Sequence, residues 1–289
     1  MVQAQTPLQT GEVNMSNSLP LPEVFNFEGR TVRWGRIGNQ GSAVVMVHGT
    51  PFSSYVWRRI APLLAQHHQV FYYDLLGYGQ SEKADGQDVS LGVQNNVLAA
   101  LLEHWGLEQP QVVAHDFGGA TALRTYLLNH VAYASLTLID PVAIAPWGSP
   151  LIQHVRHHEQ AFSGAPAYVH EAIINAYIQG AVFRPLHAED LQAYVTPWTG
   201  DVGQAAFYRQ IAQMDQAFTD EIEHRFNEIK CPVMLLWGEE DRWIPIEQGD
   251  ELARRIPGVK YIRVPAAGHL VQEEAPEVIV AHVLNFLRA

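Results

Sequence analysis

Four short apolar runs, at residues 42–47, 70–73, 112–114 and 136–139, constrain the fold of this chain more than any other feature. Each stops at a polar or glycine-bearing turn, and stripes of apolar residues at helical spacing lie between them, as at Val93, Val97, Leu98, Leu101 and Leu102. Runs this continuous are buried on both faces, and parallel strands need helical crossovers to connect them. The pattern therefore predicts an α/β fold with a mostly parallel central sheet flanked by helices. Strand-helix alternation resumes at 232–238, with a helix near 247–255, a last strand at 259–264 and a last helix at 276–287 opened by Pro276. Ahead of the first run, alternating residues at 25–38 read as a β-hairpin. The stripe Val56, Trp57, Ile60, Leu63 and Leu64 reads as one helix.

Between the two strand-helix blocks the pattern changes. Residues 146–218 hold aromatics, prolines and amphipathic pieces such as 169–178 and 205–214, without a convincing strand. They read as a helical cap inserted after the sixth strand, which divides the core into 23–145 and 219–289. Residues 1–22 are rich in Gln, Ser, Asn, Thr and Pro, lack the basic and apolar parts of a secretory signal, and read as a mobile tail.

A formal charge of −12 with no basic cluster argues against a nucleic-acid partner. No apolar run reaches the ~18 residues of a membrane span. The single cysteine, Cys231, has no partner in the chain, which fits a reducing compartment, so the expected location is cytoplasmic.

The chemistry concentrates where the strand Val112, Val113, Ala114 meets His115 and Asp116, and where Gly118 and Gly119 then open a helix. A strand-turn-helix corner of this kind presents one side chain at its tip, here Asp116. An aspartate in such a place commonly caps the helix. In an open parallel sheet, however, reactive groups gather beyond the carboxyl ends of the strands. The turns there carry His48-Gly49-Thr50-Pro51, Asp116, Gly238-Glu239-Glu240-Asp241 and Gly268-His269. Taken in chain order as nucleophile, acid and histidine, they become Asp116, Asp241 and His269.

With Gly-Tyr-Gly-Gln-Ser at 77–81 and Ala-Gly-His at 267–269, the chain from about 25 to 288 resembles an α/β-hydrolase of the aspartate-nucleophile branch. That branch holds epoxide hydrolases, haloalkane dehalogenases and fluoroacetate dehalogenases. The resemblance implies an α/β-hydrolase fold, an alkyl-ester intermediate on Asp116, and His269 oriented by Asp241 as the base. It favours Asp241 over Glu239 and Glu240 as the acid, with Asp140, after the earlier strand, as runner-up. It also implies that the backbone N–H groups of Thr50 and Phe117 form the oxyanion hole.

In epoxide hydrolases two tyrosines of the helical cap protonate the departing oxygen. By resemblance the aromatic-Tyr-Arg setting makes Tyr208 one of them, and Tyr168 is taken as its partner ahead of Tyr177 and Tyr194. Many haloalkane dehalogenases instead carry Asn and Trp at the places of Thr50 and Phe117, and phenylalanine has no N–H to offer a halide. Fluoroacetate dehalogenases place an arginine where Phe117 stands, although their fluoride-binding tyrosine can occupy the position of Tyr208.

The expected activity is thus hydrolysis of an epoxide to a vicinal diol. A haloalkane or haloacid dehalogenase with the same triad is the alternative, and a non-catalytic binder or an esterase lies further behind. The expected partner is a small apolar epoxide, with a homodimer left open and no cofactor required. Phe52, Trp147, Phe183, Trp198 and Phe207 suggest an aromatic-lined pocket. His154, His157, His158 and His170 match no recognisable metal motif and read as a polar face.

Overall fold

A computed structural model describes residues 18–287. Its centre is an eight-stranded sheet in the order β1-β2-β4-β3-β5-β6-β7-β8. The strands are β1 Glu23–Phe27, β2 Arg30–Ile37, β3 Ala43–Val47, β4 Gln69–Tyr73, β5 Gln111–His115, β6 Ser135–Ile139, β7 Val233–Gly238 and β8 Lys260–Val264. The hairpin β1-β2 and the pair β2-β4 are antiparallel, and every other pair is parallel. The hairpin turns through Glu28 and Gly29, both at positive φ (51° and 84°), the geometry of a two-residue turn that matches strand twist.

Strands β5, β6 and β7 are buried along their whole length, as the continuous apolar runs require. Each fully buried Val or Leu there contributes roughly 1.5–3 kcal/mol of burial. Around the sheet lie α1 Ala61–Leu64, α2 Leu91–His104 and α3 Phe117–Leu128. Between β6 and β7 come α4 Pro150–His157, α5 Glu159–Ser163, α6 Ala167–Gln179, α7 Ala188–Val195, α8 Gly200–Ala212 and α9 Ala217–Glu223. Then follow α10 Ile246–Arg255, α11 Val271–Glu274 and α12 Pro276–Leu287.

The single helix expected over the stripe from Val56 to Leu64 is instead a 3-10 turn, Ser54–Trp57, followed by the four-residue α1. Pro62 is the reason: with no N–H it cannot join a helix already under way, and it sits in the first turn of α1 instead.

Of the expected N-terminal tail, residues 1–17 lie outside the described residues. The remainder is not free: Leu19 and Leu21 are buried in the core, and the Pro20 carbonyl accepts a hydrogen bond from Tyr72 Oη at 3.1 Å. No helix among the described residues is long and apolar enough to cross a membrane.

The helices between β6 and β7 are fastened to the core at a buried ionic cluster. Arg58 donates to Glu273, with Nη2 2.9 Å from Oε2, and to Asp190 of α7 at 2.5 Å. Tyr194 of α7 donates to Glu273 as well.

Candidate active site

Asp116 follows β5 and begins α3 with φ 51° and ψ −119°. That backbone is rare for a residue with a side chain and costs of order 1–3 kcal/mol, a strain typical of functional corners. The neighbouring glycines make the corner sterically feasible. A Cβ on Gly118 would lie 2.3 Å from the Val47 carbonyl oxygen, and one on Gly49 would lie 2.4 Å from Asp116 Cβ. The Asp116 side chain caps nothing; Oδ1 instead accepts from Thr50 N at 2.7 Å.

The second carboxylate oxygen faces His269. Nε2 of that ring lies 3.3 Å from Asp116 Oδ2, without the alignment of a hydrogen bond, so the contact is electrostatic. Its Nδ1 is 2.7 Å from Asp241 Oδ2. Asp241 is held from the other side, because its Oδ1 accepts from Trp243 N and Ile244 N at 2.7 and 2.9 Å. His269 is fully buried, and burial alone pulls its pKa down. Asp241 and Asp116 outweigh that effect and hold the ring well above its usual 6.5.

Two further groups support this line. His115 Nε2 donates to the His269 carbonyl oxygen at 3.0 Å, and burial, then the charge of His269, keep His115 neutral far below its usual pKa. Glu274 binds the loop before His269: Oε2 accepts from Gly268 N at 2.6 Å and Phe183 N at 3.0 Å, and Oε1 accepts from Arg184 N at 2.7 Å.

Asp140, the runner-up acid, does not reach the imidazole. Its Oδ1 accepts from Gly238 N at 2.8 Å, and burial followed by the Asp241 charge raises its pKa well above the carboxylate range. Asp241, not Asp140, is the carboxylate on His269.

A cavity of about 380 Å³, the open solvent at its mouth included, lies over Asp116. Thr50, Phe117, Trp147, Tyr177, Met214 and Trp243 are among its walls. The structure thus brings Asp116, Asp241, His269, Thr50 and Phe117 together. Among the described residues only Thr50 N is bonded to the Asp116 carboxylate; the Phe117 amide, expected as a second donor, makes no such bond.

The expected tyrosine pair is not there. Tyr168 is 74% exposed on the first turn of α6 and is not among the cavity walls. Tyr208 is buried, but its Oη lies 3.0 Å from His170 Nδ1, between α8 and α6, and it is not among the cavity walls. Tyr194 is taken by Glu273.

Tyr177 is the tyrosine at the cavity. Its ring stacks on Trp243 at 4.4 Å, and its hydroxyl has no hydrogen-bond partner among the described residues. Burial, then the Asp116 charge and Tyr78, push its pKa far up, so it keeps its proton.

Of the five aromatic residues expected to line the pocket, only Trp147 does so. Its Nε1 donates to Thr219 Oγ1 at 2.9 Å and is not offered to a ligand. Phe52 lies behind Trp243, stacked at 5.9 Å. Trp198 is buried with Nε1 donating to the Pro51 carbonyl at 2.7 Å, Phe207 is buried against it, and Phe183 is 40% exposed. Trp198 and Phe207 are instead taken up in packing against each other and His170. Trp243, which the sequence reading passed over, had one signal: it stands two residues after Asp241. Among the described residues no group of three His, Cys, Asp or Glu is arranged to hold a metal ion.

Comparison with known proteins agrees with this architecture. A family model described as the alpha/beta hydrolase fold matches residues 42–276. The chain belongs to that family. Among solved α/β-hydrolases, a fold protein from Burkholderia ambifaria is 57% identical with a TM-score of 0.91, covering 93% of this chain and 98% of the other. The haloalkane dehalogenase DatA of Agrobacterium tumefaciens C58 is 24% identical with a TM-score of 0.78 (92% and 96% covered). The epoxide hydrolase CorEH is 22% identical with a TM-score of 0.73 (92% and 98% covered). At such identities the last two likenesses concern the fold alone. The protein is an α/β-hydrolase, and its site must argue the rest.

Proposed function

We propose that this α/β-hydrolase opens epoxides to vicinal diols through an ester on Asp116. A carboxylate makes a poor attacker of esters, because the anhydride formed reverts, but it can displace a leaving group at an sp3 carbon. Asp116 Oδ2 would attack an epoxide carbon while Tyr177 gives its proton to the oxygen that departs. Esterification cancels the Asp116 charge that helps hold His269 protonated, and Nε2 releases its proton to solvent. Water's oxygen then bonds to Asp116 Cγ, its proton passes to His269 Nε2, and the Cγ–Oδ1 π electrons go to Oδ1, facing Thr50 N–H. Re-forming that double bond breaks Cγ–Oδ2. Oδ2 leaves as a hydroxyl of the diol with the proton from His269, and the carboxyl proton left behind returns to Tyr177.

The observation that carries this reading is Tyr177, a wall of the cavity that Asp116 also lines, whose hydroxyl has no hydrogen-bond partner among the described residues. An epoxide oxygen needs a proton as it departs, whereas a halide needs only N–H donors. Phe117 supplies none from its side chain, and the Trp147 N–H is already engaged. Tyr177 thus takes the role first expected of Tyr168 and Tyr208.

His269→Gln tests the reading. The variant should still form the ester and fail to hydrolyse it. Intact-mass and peptide measurements after exposure to an aryl epoxide, an alkyl bromide and an aryl ester should show a stable adduct of epoxide mass on the peptide with Asp116. An adduct from the bromide alone would make the protein a dehalogenase. No adduct from any of the three, with no turnover by the wild type, would remove Asp116 as nucleophile.

A further inference from the structure

Gln210 lies on α8, buried, at a place where the helices between β6 and β7 meet the catalytic loops. Its Oε1 accepts two hydroxyl protons, from Thr50 Oγ1 at 2.7 Å and from Tyr78 Oη at 3.0 Å. A hydroxyl can also accept, so the amide would hold the same two groups with either end turned towards them. The other end, Nε2, is buried and has no partner among the described residues. Leaving such a donor unsatisfied costs about 1–3 kcal/mol, so packing alone gives no reason for an amide at this position. A methionine of similar length would remove that orphan but leave the Thr50 and Tyr78 hydroxyls without their shared acceptor.

What the amide oxygen holds is the residue whose own N–H meets Asp116 Oδ1 at 2.7 Å. We infer that Gln210 is a positioning residue for the oxyanion site: by fixing the Thr50 side chain to α8 and to Tyr78, it aims the Thr50 N–H at Oδ1. Tyr78 is itself confined, edge-on to His48 at 5.8 Å and to Trp198 at 5.5 Å, so the tether ends on a rigid ring. The helical segment therefore does more than cover the cavity; it completes the group on which negative charge develops in the second step.

The inference rests on the ester reading of Asp116, and it predicts an asymmetric defect. In the first step Oδ1 loses charge, and a weaker Thr50 contact does not hinder attack. In the second step Oδ1 becomes an alkoxide, and the contact is needed. Removing an oxyanion donor outright costs about 10²–10³ in rate, so misaiming one should cost roughly tenfold to a hundredfold.

The experiment is quenched-flow mass spectrometry of the Asp116 peptide with an aryl epoxide, for wild type, Gln210→Met, Thr50→Val, Thr50→Ser and the double variant Gln210→Met/Thr50→Val. Ester breakdown should slow roughly tenfold to a hundredfold in Gln210→Met and in Thr50→Val, so that ester accumulates, while its formation changes less than about threefold. Thr50→Ser, which keeps the hydroxyl, should lie closer to wild type than Thr50→Val. The double variant should be no slower than the worse single one, because both changes cut the same tether.

Breakdown at the wild-type rate in Gln210→Met, or formation and breakdown slowed alike, would overturn the inference even while ester still forms. Fully additive defects would overturn it too. Absence of any ester in His269→Gln would instead remove the reading beneath it. If Gln210→Met fails to fold, the comparison of Thr50→Val with Thr50→Ser decides alone.

Discussion

Replacing Tyr177 with phenylalanine separates catalysis from stability. The ring that stacks on Trp243 at 4.4 Å and 19° is retained, and the deleted hydroxyl has no partner among the described residues. No hydrogen bond is lost on folding, so stability should stay within about 0.5 kcal/mol of wild type. For a chain of this size that is a shift in Tm of at most about 2 °C, read by circular dichroism. The catalytic loss should be large. A positioned proton donor contributes about 10²–10⁴ in rate, equivalent to roughly 3–5 kcal/mol of barrier. The assay is single-turnover formation of the Asp116 ester, followed by mass, from an aryl epoxide and, separately, from an alkyl bromide. The epoxide reaction should fall by that factor, and the bromide reaction, which needs no proton, should fall far less. Ester formation from the epoxide within about tenfold of wild type would refute the assignment, because it would place the donor elsewhere.

Other expectations follow from buried charges. In Arg58→Met the carboxylate of Glu273, whose side chain is 2% exposed, loses the nearer of its two cations and keeps Arg59 at 3.2 Å, and urea denaturation should show a loss of up to about 3–5 kcal/mol. A loss below about 1 kcal/mol would mean that Asp190 and Tyr194 do not depend on that cation. In Asp116→Asn the His269 ring loses one of two carboxylates that hold it protonated, so its titration, followed by imidazole NMR, should move down. An unchanged or raised midpoint would contradict the 3.3 Å contact. Because the folded pKa of His269 lies above its unfolded 6.5, its protonation stabilises the native state fully below about pH 6.5. That contribution should disappear as pH rises through the folded pKa. The stability difference between wild type and His269→Gln, measured by urea titration at several pH values, should shrink in that direction.

Much of this molecule is legible in its sequence, and the unreadable part has a geometric cause. Continuous apolar runs mean strands buried on both faces, so the sheet and the turns at its carboxyl ends could be read directly. Asp116, Asp241 and His269 then fall together because topology brings strand ends to one place. The tyrosines obey a different rule. Tyr168 and Tyr177 are nine residues apart on α6 (177 − 168), which at ~100° per residue puts them about 180° apart. Only one can face the sheet, and periodicity does not say which. Tyr208 stands two residues before Gln210 on α8, about 200° round the helix, so the turn that brings Gln210 to Thr50 sends Tyr208 to His170. A local motif such as aromatic-Tyr-Arg carries no information on how a helix is rotated about its axis.

The Glu274 carboxylate has a consequence for proton traffic. It grips Gly268, beside His269, and also Phe183 and Arg184, a few residues beyond the end of α6 and Tyr177. On the proposed route each turnover leaves Tyr177 short of one proton and the Asp116–His269 side with one to spare. The donor and the acceptor are thus anchored to a common post. One carboxylate therefore sets the spacing between the loop that carries His269 and the segment that follows Tyr177.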